Sequence, residues 1–365
     1  MNRGPSAEID LSALHHNLGI LRNLTQDRSV IAVVKADAYG HGAVEVSRRL
    51  LEEGVSTLAV AFTGEARQLR EAGITAPMLV LFDHDDRDSF FDLGLTPVIH
   101  DLHTAEEFSR AAQKKGKVLP VHLKIDTGMG RLGFGPDRAL TEAVRIAVLP
   151  GLSLEGLMSH FSEADLSDRS YVRQQVAAFS SVRQGIAERL RRPLVCHMAN
   201  SAASLSLLEA VFDAVRPGLL LYGYSPFEEQ FGLKPLMSLK ARILAVRDLP
   251  AGSPVSYGRT FICKRPSRIA VIATGYADGY SRLFSNNADV LVRGTRVPVA
   301  GRVCMDLTMA DVTCVDGVAE GDEVVLLGRQ GDEVISAREL ASRIGTIPYE
   351  VLTSLGSRAR RTYLN

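Results

Sequence analysis

Short apolar runs alternate with amphipathic stretches along the first two thirds of this 365-residue chain. Continuous apolar runs bounded by turn residues are typical of buried parallel strands, and the stretches between them have helical spacing. The pattern predicts eight strands, near Val30–Val34, Thr57–Ala61, Pro77–Phe82, Thr96–His100, Pro120–Ile125, Ser153–His160, Leu194–His197 and Val215–Tyr222. Such an alternation fits an α/β fold with a closed (β/α)8 TIM barrel better than an open doubly wound sheet.

The predicted helices lie between these strands, at Gly42–Glu52, Gly64–Ala72, Thr104–Lys114, Pro136–Val148, Tyr171–Leu190 and Ala202–Leu208. Pro136 follows Gly135 and precedes Asp137, which is a favourable helix start. The glycine-rich string GMGRLGFG at Gly128 does not favour a dinucleotide-binding sheet, because it lacks the GxGxxG spacing after a strand.

The pattern changes near Lys234, where strand-like runs separated by Gly and Pro replace the alternation. These runs are Leu239–Val246, Ile269–Ala273, Asp289–Val292, Val297–Ala300 and Glu323–Leu327. A helical stretch follows at Ala337–Ile344, and Pro348 opens another. The sequence therefore predicts a barrel domain over residues 1–233 and a mainly β C-terminal domain over residues 234–365.

Composition indicates a soluble globular enzyme, with 46% hydrophobic and 23% charged residues. Acidic and basic residues number 42 each, so no overall field favours nucleic acid or an anionic membrane. The N-terminal residues lack the apolar core of a signal peptide, and no run is long enough to span a bilayer. Four scattered cysteines show neither metal-ligand spacing nor disulfide density, so we expect free thiols and a cytoplasmic protein.

The segment Ser29–Gly42, SVIAVVKADAYGHG, ends its apolar run at a single lysine, Lys35. A lysine at the rim of a dry core loses its proton readily, because desolvation disfavours the charged form. The neutral amine attacks carbonyl groups and forms Schiff bases. The alternative is a lysine that snorkels out of a strand end into solvent.

Catalytic side chains of a barrel lie at the C-terminal ends of its strands and in the loops that follow. Ionisable, polar and glycine residues occupy these positions on separate predicted strands: Lys35, Tyr39, Lys124, Arg131, His160, His197, Asn200, Ser201, Arg216 and Gly218. Barrels often bind phosphate near the last two strands, where Ser201 and the backbone around Gly218 and Leu219 can donate. A metal site built from His100, His160 and His197 is the competing interpretation. We expect no metal, because these histidines lack a close ligand pair or clustered carboxylates.

Short motifs throughout the chain resemble alanine racemases, in the order of that family. They are KADAYGHG at Lys35, LKIDTGMGRLGF at Leu123, SHF at Ser159, HMANSAA at His197, RPGLLLYG at Arg216, SYGRTF at Ser256, GYADGY at Gly275, GRVCMD at Gly301 and IPYE at Ile347. The resemblance implies a pyridoxal 5′-phosphate (PLP) enzyme that interconverts L- and D-alanine and supplies D-alanine for bacterial peptidoglycan. It also implies a homodimer whose sites are shared between subunits.

The same resemblance implies roles for single residues. Lys35 would hold PLP as an internal aldimine and serve as one acid–base group, and Tyr257 from the other subunit would be the second. The PLP phosphate would be held by four groups: Tyr39, Ser201, the Gly218–Leu219 backbone and Tyr349. Arg216 would face the pyridine nitrogen.

Other residues would bind substrate or support the site. Arg131 and the Met305 backbone would meet the substrate carboxylate, and His160 would hydrogen-bond Tyr257. Tyr276 and Tyr349 would narrow the substrate entrance, with His197 and Asn200 as supporting residues. Lys124 would carry a carbamate, which turns its charge negative and lets it orient Arg131.

Racemisation explains why two acid–base groups are needed, because a proton must leave one face of the α-carbon and return to the other. Arg216 stays protonated and can only donate to the pyridine nitrogen. The pyridine nitrogen would then stay unprotonated, which makes PLP a weaker electron sink than a pyridinium. We hypothesise that this weaker sink suppresses transamination. Two alternatives stay open: a racemase for serine or a broader set of amino acids, and a non-catalytic PLP-binding barrel protein. The latter predicts no β domain and no equivalent of Tyr257.

Overall fold

The computed structural model describes residues 4–365, which form two compact units. One unit consists of Leu14–Ala38 and Ala43–Lys234. The other combines residues 4–13 with Tyr39–Gly42 and Pro235–Asn365. The domain boundary expected between residues 233 and 234 stays a prediction.

The first unit is the predicted parallel barrel, here called the barrel unit. Within the described residues its eight strands pair in chain order and close on themselves: Ser29–Val33, Thr57–Val60, Met78–Val80, Thr96–Ile99, Leu119–Lys124, Leu152–Met158, Val195–His197 and Ala214–Val215. The closing pair joins the first strand to the last, with Ser29 opposite Ala214 and Val30 opposite Val215. Closure brings the C-terminal ends of all these strands to one face.

Helices follow most of these strands, at Ala43–Glu52, Thr63–Glu71, Arg87–Asp92, Leu102–Lys115, Pro136–Ala147, Ser170–Leu190 and Ser201–Ser206, with a 3-10 turn at Leu208–Ala210. Pro136 occupies the start of its helix after Gly135, as predicted. Sequence reasoning missed the short helix Arg87–Asp92 and the helix Leu11–Leu24 that precedes the barrel. No helix within residues 4–365 combines the length and apolarity needed to cross a membrane.

The last barrel strand is much shorter than predicted. Only Ala214–Val215 pairs with neighbouring strands, so the expected strand Val215–Tyr222 is wrong beyond its first residue. Pro217 has no N–H to donate to a strand ladder. The backbone instead winds into turns, in which Leu221 N–H donates to the Gly218 carbonyl at 2.9 Å and Tyr222 N–H to that of Leu219 at 3.1 Å. This turn places backbone amides, rather than a continued strand, at the face where the site lies.

The other unit is mainly β, as predicted, and is here called the sheet unit. Its central strand Met237–Leu249 pairs antiparallel with Ser6–Asp10, Ser267–Ile272 and Glu323–Gln330. The further strands are Pro254–Val255, Phe261–Ile262, Asp289–Val292, Thr295–Pro298, Thr308–Asp311, Glu333–Ile335 and Arg360–Leu364. Helices Ala337–Ile344 and Pro348–Ser354 and 3-10 turns at Tyr257–Arg259, Tyr276–Asp278 and Arg282–Phe284 complete it. The predicted strand Asp289–Val292 and helix Ala337–Ile344 match residue for residue.

Candidate active site

Lys35 begins a tight turn just beyond the first barrel strand, which ends at Val33. The four residues after it, Ala36 to Tyr39, all have left-handed backbone with φ between 52° and 54°. A left-handed conformation costs roughly 1–2 kcal/mol for each such residue that carries a Cβ atom. The turn therefore needs contacts from elsewhere in the chain.

Hydrogen bonds hold this left-handed turn at several points. Ala36 N–H donates to Glu65 Oε1 at 2.6 Å, and Ala38 N–H donates to the Val34 carbonyl at 2.9 Å. Asp37 Oδ1 accepts from Ala43 N–H at 2.7 Å, at the start of the following helix. The backbone around Lys35 is thus fixed on both sides.

The Lys35 amine lies in an environment that favours its neutral form. Burial lowers the pKa of Lys35, and the Arg131 guanidinium lowers it further, while Glu65 acts in the opposite direction. Lys35 Nζ lies 5.4 Å from the centre of the Phe82 ring, and Arg131 Cζ lies 5.5 Å from the same ring. Sequence reasoning missed Phe82 as a site residue, although an aromatic residue at a predicted strand end was a usable signal.

Asp126 shapes the loop that carries Arg131. Its Oδ1 accepts from the N–H groups of Gly128, Met129 and Gly130 at 2.7–3.1 Å, and Oδ2 accepts from Arg131 N–H at 3.2 Å. Burial opposes ionisation of this carboxyl, but the four N–H groups outweigh it and lower the pKa of Asp126. The carboxylate therefore stays charged and fixes the loop, a role that sequence reasoning did not assign.

Lys124 ends the fifth barrel strand with 7% of its surface exposed. Burial, Arg216 and Arg131 together lower the pKa of Lys124 well below its usual range. Gly133, at φ 120°, closes over its stem, since a Cβ atom there would lie 2.8 Å from Lys124 Cγ. The amine therefore lies in a tight pocket beside two cations, an environment that favours its neutral form.

Arg216 follows the eighth strand and is 4% exposed. Nη1 donates to the His197 carbonyl at 2.6 Å and to His197 Nδ1 at 2.7 Å, while Nη2 donates to the carbonyls of Ser159 and Met198. Its Nε has no hydrogen-bond partner among residues 4–365. Burial lowers the pKa of Arg216 to about 9, so the guanidinium stays charged at neutral pH with one donor to spare.

A pair of buried histidines continues from Arg216 into the barrel. Because Arg216 can only donate, His197 Nδ1 accepts and its proton sits on Nε2. That Nε2 then donates to His122 Nδ1, 2.7 Å away. Burial, followed by Arg216, lowers the pKa of His122 to about 4 and that of His197 well below 6.5, so both rings are neutral. His197 was predicted as a supporting residue, whereas the role of His122 was missed.

His160 lies two residues beyond the sixth strand, which ends at Met158. Burial, Lys124 and Arg216 are the main causes that lower the pKa of His160 well below its usual value. Within the part of the chain that the structure describes, its imidazole nitrogens make no hydrogen bond. The neutral ring is therefore available to a further group.

Ser201 and the turn after Arg216 form a small set of donors. Ser201 Oγ accepts from Gly218 N–H at 3.0 Å and from Leu220 N–H at 3.2 Å, which leaves the hydroxyl proton free to donate. Leu219 N–H, between those two amides, has no partner among the described residues. Asn200 caps the helix Ser201–Ser206, since its Oδ1 accepts from Ala203 N–H at 3.0 Å.

The sheet unit contains the remaining predicted site residues. Tyr39 and Tyr349 are ring neighbours in this unit, with centroids 5.9 Å apart and planes tilted by 46°. Burial raises the pKa of Tyr39, and Tyr349 raises it further, so the Tyr39 hydroxyl stays protonated and can donate.

Three loops of the sheet unit are tied together around Tyr257, Tyr276 and Met305. Ser256 Oγ donates to the Arg302 carbonyl at 2.6 Å, and Tyr276 N–H donates to the Cys304 carbonyl at 3.0 Å. The exposed fractions are 69% for Tyr257, 53% for Met305 and 42% for Tyr276. Within residues 4–365, neither the Tyr257 hydroxyl nor Met305 N–H has a hydrogen-bond partner.

The predicted site thus divides between the two units. The C-terminal face of the barrel unit carries ten of its residues: Lys35, Lys124, Arg131, His160, His197, Asn200, Ser201, Arg216, Gly218 and Leu219. The sheet unit carries Tyr39, Tyr257, Tyr276, Met305 and Tyr349. No group of three or more His, Cys, Asp or Glu side chains in the described residues could hold a metal ion.

Family comparisons match both parts of the chain. The family described as "Alanine racemase, N-terminal domain" matches residues 9–226, and "Alanine racemase, C-terminal domain" matches residues 236–363. The alanine racemase of Thermodesulfovibrio yellowstonii is 50% identical over 368 residues, which cover 100% of this chain and 99% of that protein.

Solved structures give the same result at the level of the fold. An alanine racemase from Bacillus anthracis with bound L-Ala-P is similar, with a TM-score of 0.93, 37% identity and coverage of 100% of this chain and 96% of that chain. An alanine racemase from Bartonella henselae with covalently bound pyridoxal phosphate has a TM-score of 0.89 and 31% identity, and covers 99% of both chains.

Proposed function

We propose that this chain, which belongs to the alanine racemase family, interconverts L- and D-alanine with PLP as its cofactor. Membership makes the protein an isomerase of the racemase class. Support for alanine as the substrate comes from the relative at 50% identity, and support for PLP comes from the Bartonella henselae enzyme with its covalently bound cofactor. The residues of this chain must then fit both molecules.

The donors of the barrel unit fit PLP. A covalent anchor needs a neutral amine, and burial and Arg131 lower the pKa of Lys35. A pyridine nitrogen needs a donor, which Arg216 Nε provides because its terminal nitrogens are already engaged. A phosphate needs several N–H and O–H donors, and we assign these to the Leu219 amide, the neighbouring Gly218 backbone and the Ser201 hydroxyl. Tyr39 and Tyr349 would complete the phosphate contacts.

One observation carries the proposal, which is the state of Arg216. Four contacts fix its terminal nitrogens in a buried place, and the guanidinium stays charged at neutral pH although burial lowers its pKa to about 9. A fixed, charged donor with one free N–H is a receptor for an uncharged acceptor atom, such as an unprotonated pyridine nitrogen.

PLP, when bound, acts as an electron sink that makes the α-proton of an amino acid removable. We assign the two proton positions to Lys35 Nζ on one face of the α-carbon and the Tyr257 hydroxyl on the other. One group takes the proton and the other returns it, which inverts the centre. His160, whose neutral imidazole makes no hydrogen bond to the residues that the structure describes, would accept or donate at the Tyr257 hydroxyl and hold it in place.

Tyr257 would reach Lys35 from a second copy of the chain. Its hydroxyl has no hydrogen-bond partner among residues 4–365, and 69% of the residue is exposed. Met305 N–H, a proposed donor to the substrate carboxylate, is also unpaired within the described part of the chain. A homodimer would explain these two unpaired donors. Each site would take its barrel residues from one subunit and Tyr257, Met305 and Tyr276 from the other.

Arg131 would bind the substrate carboxylate together with Met305 N–H. Lys124 would assist Arg131 as a carbamate, because a neutral amine attacks carbon dioxide and releases a proton as the carbamate forms. The lowered pKa of Lys124 supports this, as it makes the nucleophilic form available. The product carries a negative charge between Arg131 and Arg216 and replaces repulsion by attraction.

The test uses purified protein supplied with PLP. We expect a yellow protein whose colour borohydride bleaches, a cofactor adduct on the peptide that contains Lys35, and loss of optical rotation from L-alanine. Serine, tested in parallel, measures how strictly the site selects alanine, since a pocket rejects one added hydroxyl poorly. A Lys35→Ala variant that racemises alanine at the wild-type rate would refute the proposal.

The biological role follows from the product. D-Alanine is a component of bacterial peptidoglycan, so we propose that the enzyme supplies it from L-alanine in the cytoplasm. Deleting the gene in its host should produce a requirement for D-alanine if this is the main source.

A further inference from the structure

Glu65 joins two loops at the C-terminal face of the barrel unit. Its Oε1 accepts from Ala36 N–H at 2.6 Å, and Oε2 accepts from Ala61 N–H at 2.7 Å and Phe62 N–H at 3.2 Å. Ala36 follows Lys35 directly, whereas Ala61 and Phe62 follow the second barrel strand. One carboxylate therefore ties the backbone next to Lys35 to the end of the neighbouring strand.

The hydrogen bond from Ala36 N–H to Glu65 lies at a strained position of the backbone. Ala36 is the first of the left-handed residues, and its N–H would otherwise point toward solvent at a strained position. A bond from a backbone N–H to a carboxylate is stronger than one to a neutral acceptor. Losing it would allow the turn to relax toward the right-handed conformations that alanine prefers, and the base of the Lys35 side chain would move with it.

We propose that Glu65 is a positioning residue for Lys35. The Glu65 carboxylate holds the left-handed turn and thereby sets the position of the lysine amine that anchors the cofactor. The inference rests on the proposed function of Lys35. Glu65 itself would touch neither substrate nor cofactor. It acts through the backbone of Ala36.

The charge of Glu65 adds a second effect on the same amine. Among the groups that face Lys35, Arg131 lowers its pKa and Glu65 raises it, and the neutral ring of His160 lies close enough to feel the lysine charge. Removing the negative charge should therefore shift the titration of Lys35 to lower pH. Two substitutions separate the effect of the hydrogen bond from that of the charge, because Glu65→Gln removes the negative charge and Glu65→Asp keeps it.

A purely structural role for Glu65 must be distinguished from this one. The bond from Phe62 N–H to Oε2 caps the helix Thr63–Glu71, as glutamate or glutamine does at the third position of many helices. Glu65→Gln keeps one acceptor oxygen for that cap. It replaces the other oxygen with an amide nitrogen, which cannot accept from Ala36 N–H, and it removes the charge.

The matched control is Asp101→Asn. Asp101 caps the helix Leu102–Lys115 of the same barrel by accepting from Thr104 N–H at 2.7 Å, so this change also converts a capping carboxylate to an amide. Full-length apoprotein is labelled with an amine-acylating reagent across a pH series, and the Lys35 peptide is quantified by mass spectrometry. The same apoproteins are titrated with PLP itself.

We expect Glu65→Gln to move the Lys35 labelling midpoint to lower pH and to raise the PLP dissociation constant about tenfold, the loss of one charge-assisted bond. Asp101→Asn should match the wild type in both readouts. If Glu65→Gln binds PLP like the wild type with an unchanged midpoint, the inference is wrong. It is equally wrong if Asp101→Asn produces the same changes, because the effect would then be general loosening.

Glu65→Asp provides the second variant, since it keeps the charge but shortens the reach to Ala36. We expect weaker PLP binding with a midpoint closer to that of the wild type. Should Glu65→Gln not fold, wild-type PLP affinity in Glu65→Asp would overturn the inference. Labelling requires no racemisation, so a wild-type protein that binds PLP without racemising alanine would refute the proposed function and leave this inference standing.

Discussion

Arg216→Lys removes a donor from the site while it keeps the positive charge. The arginine uses Nη1 and Nη2 for four contacts with His197, Ser159 and Met198, and its Nε remains open. Lysine has a single nitrogen, which cannot occupy both the place of the terminal nitrogens and the place of Nε. The ammonium should bind the backbone carbonyls, which lie nearest to it. The position proposed for the pyridine nitrogen would then have no donor.

The expected loss can be worked out from these contacts. A hydrogen bond from a charged donor contributes about 1.5–3 kcal/mol, so its absence at the pyridine nitrogen should lower kcat about 10- to 150-fold. An ammonium has three N–H groups, so it leaves at least one of the four acceptors of Arg216 without its partner. We expect a decrease of about 1–3 kcal/mol in the free energy of unfolding from that second loss.

Arg70→Lys is the matched control, because Arg70 binds backbone carbonyls at the opposite face of the barrel. Its Nε, Nη1 and Nη2 donate to Leu93, Ile74 and Gly94, which lie in the loops leading into strands. Arg70→Lys should lower stability and leave kcat unchanged.

The assay follows alanine racemisation by circular dichroism, with PLP occupancy from absorbance and stability from urea unfolding. A kcat within twofold of wild type in Arg216→Lys, at full PLP occupancy, would refute the assignment of Nε. A similar fall in kcat in Arg70→Lys would show that lost stability alone explains the result.

Three further predictions concern the surroundings of Arg131 and Lys124. Asp126→Asn replaces the acceptor for Arg131 N–H, so the KM for alanine should rise about tenfold with unchanged PLP affinity; an unchanged KM would contradict this. The pKa of His122 is about 4 in the folded protein and about 6.5 in the unfolded chain. Between pH 4 and pH 6.5, only the unfolded chain therefore binds a proton at this imidazole. Stability should therefore fall by roughly 3 kcal/mol as pH drops from 6.5 to 4, less in His122→Gln, as measured by urea unfolding. With 13C-labelled bicarbonate, a carbamate NMR signal should appear in the wild type and be absent in Lys124→Arg.

Local patterns in the sequence predicted the framework because each barrel strand has its own apolar run. Val30–Val34 and Thr57–Ala61 needed no distant information to be recognised, and the structure has strands within a residue or two of both. The fold also places Lys35, Lys124 and Arg216 at the strand ends from which their candidacy was argued. Strand ends were therefore sufficient to place these candidate residues together on one face of the barrel.

Distant contacts explain what the sequence could not predict. Burial and Arg216 keep His122 neutral, and His122 accepts from His197, which itself accepts from Arg216, 19 residues further along the chain. The strand expected after Val215 failed because the apolar residues Leu219 to Tyr222 are buried in a turn, and apolar composition alone does not distinguish a buried turn from a strand. For His122 the deciding partner lies outside any local window.

The left-handed turn after Lys35 is the clearest case. Ala36 and Ala38 have Cβ atoms and prefer right-handed backbone, so local propensity predicts the wrong handedness. The carboxylate that holds Ala36 comes from Glu65, 29 residues away, and the two meet only because the first and second barrel strands are neighbours. The pairing of these two strands therefore helps to set the backbone geometry next to Lys35. It follows that a substitution which loosens the pairing of these two strands should impair cofactor binding even where it changes no residue that would contact PLP.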